Sequence, residues 1–223
     1  QREETPEDIR RSVPIIKEII RAYRIPILEV SGFEADDVIG TLANQASQMG
    51  ITTYMMTPDK DYGQLVKDNV YMYRPKHSGG FEVMGIDEVK AKFDIENTQQ
   101  VIDMLGLMGD SSDNIPGCPG VGEKTAQKLI SEFGSIENLL EHTDQLKGAL
   151  KKKVEENKEM ILFSKFLATI KTDVPIQLDM ESLKREEPNE EALRPLFEEL
   201  EFRTLIDRVL KKSVSTPPPT QQA

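Results

Sequence analysis

The stretch IPILEVSGFEADDVIGTLANQASQMGITTYMMTPDKD, Ile25 to Asp61, decides the fold. Ile27 to Val30 reads as a short strand, opened by Pro26, which is tolerated at a strand's start, and closed by Gly32. Glu34 to Met49 then changes to a helical period, with Ala35, Val38, Ile39, Leu42 and Ala46 on one face and Gly50 as terminator. Ile51 to Met56, mostly β-branched and apolar, predicts a second strand of the kind buried in a parallel sheet. The order is β-α-β. The acidic motifs GFEADD and TPDKD both follow strand ends, where open α/β sheets bind ligands.

Working outward, TPED (Thr5 to Asp8) gives a helix start with Thr as the cap and Pro just inside. Pro14 predicts an interruption, with a short turn before it and a helix from there to about Tyr23. Downstream, Val70 to Tyr73 and Phe81 to Val83 read as strands joined through Ser78-Gly79-Gly80. Beyond Asp87 the pattern turns helical: Asp87 to Lys92, Thr98 to Met108, Glu123 to Phe133, Ser135 to Leu140, Lys147 to Ile170 and Glu190 to Glu199. The expected fold class is α/β, a mixed sheet flanked by helices. Its expected division is a sheet-bearing part over 1–86, a helical part over 87–212 and a disordered, linker-like tail (SVSTPPPTQQA) over 213–223.

The 223 residues carry 38% hydrophobic and 30% charged side chains, a globular composition with material for a real core. A single cysteine, Cys118, excludes an intramolecular disulfide and fits a reducing compartment. No apolar run approaches transmembrane length and no signal sequence opens the chain, so the expected location is cytoplasmic. The net charge of −11 argues at first against nucleic acid. Seven acids sit in three clusters, however, and compensating them by metal would leave a net −4, so local distribution has to decide.

Those clusters are Glu34, Asp36 and Asp37 in GFEADD, Asp59 and Asp61 in TPDKD, and Asp110 and Asp113 in GDSSDN. Singly, each has an ordinary explanation: an acid-rich first helical turn, an Asp-rich turn after a strand, a helix cap. Glu34 and Asp37 lie three apart on one helical face, while Asp59 and Asp61, two apart, share a direction if extended. Together the clusters imply a bound divalent cation, because carboxylates converging in one cleft raise each other's pKa. Oxygen ligands without Cys or His select Mg²⁺ or Mn²⁺ over zinc, and point to metal-assisted phosphoryl chemistry. Lys60, between Asp59 and Asp61, reads as solvated, with stabilisation of phosphate charge as the alternative, and Asp103 reads as solvated. Met55, Met56, Met104 and Met108 read as core, and His77 and His142 as surface residues.

GCPGVGEKTAQKLI is the most specific single segment. Gly117, Gly120, Val121 and Gly122 form a loop that opens into a helix carrying Lys124, Thr125 and Lys128. Backbone N–H groups at a helix start bind phosphate, and small residues let a nucleic-acid strand come close. Gly122-Glu123-Lys124-Thr125 replaces the GK[ST] ending of an NTP-binding loop, which disfavours ATP. With Phe133-Gly134-Ser135 beyond, residues 106–141 predict a helix–loop–helix that grips a duplex backbone without reading bases. Lys147, Lys151, Lys152, Lys153 and Lys158 extend the cationic character, although interleaved Glu155, Glu156 and Glu159 equally suit an exposed helix face.

The set GFEADDVIG, TPDKDYGQL, GLMGDSSDNIPGCPGVGEKTA and EFRTLIDRVL resembles the 5′-nuclease domains of bacterial DNA polymerase I, members of the flap endonuclease family, over nearly the whole chain. The resemblance implies a central mixed sheet with a helical arch over the active site. It also implies divalent metal held by the seven carboxylates, and hydrolysis of DNA phosphodiesters near a 5′ flap or end. The helix–loop–helix would clasp duplex DNA and hold K⁺, and a polymerase portion of the same polypeptide would follow the tail. Family domains begin with a strand bearing an essential aspartate and with the basic first half of the arch. Gln1 to Arg10 corresponds to the far end of that arch, so the stretch in hand is expected to be inactive or impaired alone, and a catalytically incomplete DNA-binding piece is the alternative. A metal-dependent phosphatase or ribonuclease is a third reading, against which the duplex-clasping loop argues.

Overall fold

The computed structural model describes residues 5–76 and 78–210. Its elements are α1 (Glu7–Ala22), α2 (Ala35–Gln48), β1 (Thr53–Met56), a 3₁₀ turn (Lys60–Leu65), β2 (Val70–Pro75), β3 (Phe81–Met84), α3 (Ile86–Phe93) and α4 (Gln100–Met108). They continue with α5 (Glu123–Phe133), α6 (Ile136–Glu141), α7 (Gly148–Glu156), α8 (Lys158–Ala168), α9 (Glu190–Glu199) and α10 (Arg203–Leu205), then a π turn over Ile206–Leu210. Two compact units result: Glu29–Leu178, and the described parts of 3–28 and 179–223 together.

In the larger unit the sheet is mixed, as expected. β1 lies parallel to β2 with Thr53 opposite Val70, and β2 pairs antiparallel with β3 with Met72 opposite Met84. Val70, Met72, Met55 and Met84 point into one core with Val101, Met104, Leu105 and Leu107 of α4 and Leu129 and Ile130 of α5. α2 closes on that core through Ala43, and its Val38, Thr41 and Ala46 are buried as well. Gly40 sets how closely it packs, because a Cβ there would meet Ile170 Cγ2 at 2.9 Å.

Four expectations on the elements are corrected. Ile27 to Val30 is not a strand: residues 25–30 carry no ladder among the described residues, and a strand exists only with a partner to hydrogen-bond. β1 is not buried on both faces. Met55 is inside, but Tyr54 and Met56 face outward, Met56 being 73% exposed, and Tyr54 stacks on Tyr71 at 5.5 Å. α1 runs unbroken through Pro14. Residues 5–16 are all exposed, so water can take the carbonyl that Pro14 cannot bond. Finally, Lys147 to Ile170 is two helices, broken at Asn157 (φ −117°, ψ 21°), whose side chain turns back to donate to the Lys153 carbonyl at 2.8 Å.

Asp103 is not solvated either. It is 6% exposed, accepts the Ile136 N–H at 3.0 Å and receives the Lys165 ammonium at 2.6 Å. Lys165 also reaches Glu137 at 2.7 Å, so one cation ties α4, α6 and α8 together. Lys165→Met leaves a buried carboxylate without its cation and is expected to cost about 2 kcal/mol in chemical denaturation; an unchanged midpoint would refute that account.

The smaller unit packs Ala22 of α1 against Leu193 and Phe197 of α9 and Leu210 of the π turn, with the Tyr23 and Phe202 rings flanking Phe197. The Asn189 N–H donates to Ala22 O at 2.8 Å, and Arg24 pairs with Glu186 at 2.7 Å. The surface assignment of His77 and the linker reading of 213–223 lie outside the described residues.

Candidate metal centre

TPDKD does not stay extended. Asp59 caps the 3₁₀ turn, its Oδ1 accepting the Asp61 N–H at 3.0 Å, so its carboxylate serves the backbone while Asp61 turns inward. Asp61 is 9% exposed, and its Oδ1 is buried without a hydrogen-bond partner. Gln64, one turn on, holds the segment in place: its amide donates to Asp61 O at 3.0 Å and Ala168 O at 2.9 Å, and its oxygen accepts the Ile170 N–H. Burial first, then the charges of Asp59 and Asp110, push the Asp61 carboxyl up to about 7, with Lys60 opposing.

GDSSDN folds back on itself. Asp110 and Ile115 exchange both backbone hydrogen bonds, at 2.8 and 2.7 Å, and Asn114 closes the turn in the left-handed region at φ 57°. Asp110 and Asp113 thereby come beside Asp61, one carboxylate oxygen from each of the three lying within 4.8 Å of the others. Asp110 Oδ1 accepts the Ser112 N–H at 2.8 Å and Oδ2 the Lys60 ammonium at 2.5 Å. Burial pushes the Asp110 carboxyl up, but the Lys60 and Ser112 bonds outweigh it and hold it below the usual range. Lys60 is therefore ion-paired, not free in solvent as the sequence suggested.

The third cluster opens α2. Glu34 and Asp37 line a cleft of about 510 Å³ with Asp61 and Asp113, walled by Ile115, Phe166, Leu167 and Lys171. Asp37 also serves the fold, accepting the Lys171 N–H at 2.9 Å and the Glu34 N–H at 3.3 Å. Asp36 accepts the Asp37 N–H at 2.8 Å. Burial raises its carboxyl, that bond offsets part of the rise, and the charges of Asp37 and Glu34 add to it. The structure thus gathers Asp61, Asp110 and Asp113 most tightly, adds Glu34 and Asp37 along the cleft, and leaves Asp36 and Asp59 engaged with backbone.

These residues fit a divalent cation. An ionised, buried oxygen with no donor is costly. Three hard oxygens within 4.8 Å, without Cys or His, are the donor set such an ion takes. The sequence assigns no role to Gln64, Lys171 or Phe166, although Gln64 lies inside the motif TPDKDYGQL.

The glycine loop separates into parts. Gly117 is buried, and its N–H donates to Ser164 Oγ at 2.9 Å; Val121 is buried too, its N–H bonded to Cys118 O at 3.0 Å. Gly120 and Gly122 are exposed, Gly122 caps α5, and Lys124 and Lys128 are exposed with Thr125 half-buried. The Thr125 and Ala126 N–H groups donate to Gly122 O at 3.0 and 2.9 Å, and the Glu123 and Lys124 N–H groups precede those first bonds of α5. Cys118 is buried at 2% exposure. Lys151 and Lys152 pair with Glu155 and Glu156 at 3.9 and 3.7 Å, the exposed-face arrangement.

A carboxylate-lined cleft beside a mixed sheet flanked by helices defines an α/β fold suited to divalent-metal chemistry. Residues 1–94 match the model of the 5′–3′ exonuclease N-terminal resolvase-like domain, and residues 96–191 match that of the 5′–3′ exonuclease C-terminal SAM fold. A 5′–3′ exonuclease of Aquifex aeolicus is 38% identical over 211 residues, 95% of this chain and 71% of that protein. The chain belongs to the 5′–3′ exonuclease family. DNA polymerase I of Bacillus subtilis is 42% identical over 221 residues, 93% of this chain but 24% of that protein, so the chain spans about a quarter of those polymerase relatives. Among solved structures, a bacteriophage T5 flap endonuclease in a pseudo-enzyme–product complex with DNA and metal ions shares the fold at a TM-score of 0.63 and 19% identity, over 89% of this chain and 73% of that one. No helix among the described residues is long and apolar enough to cross a membrane.

Proposed function

We propose that this chain is the 5′-nuclease portion of a bacterial DNA polymerase I-like protein, hydrolysing DNA phosphodiesters at 5′ ends and flaps with Mg²⁺ or Mn²⁺. The observation that carries the reading is the donorless buried oxygen of Asp61, set within 4.8 Å of Asp110 and Asp113 oxygens in a member of this family. Asp61, Asp110 and Asp113 hold the ion, with Glu34 and Asp37 along the same cleft and Asp36 and Asp59 fixing the segments that bear them. Bound there, a divalent ion supplies an acidified water and charge stabilisation at the scissile phosphate. Gly120, Gly122, Lys124, Thr125 and Lys128 position duplex phosphates, with K⁺ at that turn, while Gly117 and Val121 build the loop from inside. The working place is the bacterial cytoplasm, at the nucleoid, with a polymerase portion in the same polypeptide.

Cleavage of a 5′-flap DNA in Mg²⁺ and in Mn²⁺ tests this. Activity is expected to depend on the metal and to fall at least about 100-fold in Asp110→Ala. Cleavage indifferent to that substitution would overturn the ligand assignment. Flap binding without cleavage in either metal would leave only the DNA-clasping part of the reading.

A further inference from the structure

Asp110 is a member of the tightest carboxylate group, yet both of its oxygens are already engaged, one by the Ser112 N–H and one by the Lys60 ammonium. Lys60 sits at the start of the 3₁₀ turn, its backbone fixed by the Asp59 cap, so its head moves only by rotation of the methylene stem. Its side chain is 37% exposed against 6% for Asp110, so the lysine approaches from solvent and can leave without disturbing the core. Lys60 and Asp110 also line a groove of about 510 Å³ with Ser111, Ser112, Gly122 and Glu123, which reaches from Asp110 to the start of α5. A divalent ion drawn to Asp110 would repel an ammonium on the same carboxylate twice as strongly as a monovalent one would at that distance.

We infer that Lys60 is a resident counterion of the metal centre: its ammonium neutralises Asp110 in the metal-free protein, gives the carboxylate up to a divalent ion, and turns into the groove to meet a substrate phosphate. This rests on the metal reading above. It makes Lys60 a substrate-contacting residue whose release couples metal loading to phosphate binding. A rigid salt bridge belonging only to the fold is the competing account, and the two differ in what metal does to them.

Calorimetric titration with Mn²⁺ and thermal melting of the wild type, Lys60→Met and Lys60→Arg separate them. Lys60→Met is expected to bind Mn²⁺ about fivefold more tightly. It should melt below the wild type in EDTA and lose that deficit at saturating Mn²⁺, while Lys60→Arg stays near the wild type in EDTA. In the wild type, the NMR signal of the Lys60 ammonium should shift on adding Mg²⁺, a readout independent of how well the variants fold. A melting deficit equal with and without Mn²⁺, an unchanged Mn²⁺ affinity, or an unmoved ammonium signal in protein that binds metal would each overturn the exchange and leave the metal reading standing. Absence of Mn²⁺ binding to the wild type would overturn both.

Discussion

Gly117→Ala is expected to cost about 3–5 kcal/mol of stability, and Gly122→Ala close to nothing. A Cβ at Gly117 would lie 2.4 Å from Gly109 N and 2.7 Å from Met108 C, backbone atoms that cannot swing aside, and Gly117 adds a positive φ of 64°. The same neighbourhood carries the Gly117 N–H bond to Ser164 and the Cys118 N–H bond to Leu107 O at 2.8 Å, so any shift that relieves the overlap breaks polar contacts in the core. At Gly122 a Cβ meets nothing within 4 Å, and φ is −100°, open to any residue. Urea denaturation of the two variants checks this. On the proposed function Gly122→Ala should weaken duplex binding while the protein stays folded, because its bare backbone faces outward at the start of α5. Equal stability loss in both variants would mean that the loop acts as a single structural unit, with no glycine kept for a ligand.

That contrast shows what the sequence could and could not convey. GCPGVGEKTA displays three glycines alike, and the loop opening into α5 at Glu123 was readable from them, as were α9 and the Gly50 terminator of α2. Which glycine packs against Gly109 and which faces outward depends on a neighbour eight residues away in sequence, and no local pattern encodes that. The acidic motifs behave likewise. That they belong together was legible from their joint recurrence. Their sorting depends on the Asp59 cap and on the back-folded Asp110–Ile115 bridge, which bring Asp61, Asp110 and Asp113 together. Pro14 does not break α1 because its surroundings are exposed to water, and exposure is not displayed by the residue itself. Asp103 misled because its cation, Lys165, lies 62 residues on. Ile27 to Val30 has strand composition, but composition supplies no partner.

The Asp61 carboxylate makes the metal-free protein pH-sensitive in an unusual direction. Its carboxyl sits at about 7 in the folded chain against an ordinary 3.8, because burial, Asp59 and Asp110 all disfavour its charge. Between those two values the folded state binds a proton that the unfolded state has released, so stability falls as pH rises through this window and levels off above it. The accumulated loss is about 4 kcal/mol. Asp61→Asn removes the titration while keeping the shape. In EDTA the variant should lie up to about 2 kcal/mol below the wild type near pH 4, the cost of burying an amide N–H₂, and exceed it by about 2–4 kcal/mol at pH 8. Saturating Mg²⁺ should reverse the order, since the wild type alone offers the ion an anionic oxygen there. Denaturation curves at pH 4 and 8, each with and without Mg²⁺, measure all four corners. A variant less stable than the wild type at pH 8 without metal would mean that the ionised Asp61 oxygen has a donor, and the strongest ground for a metal at this centre would go with it.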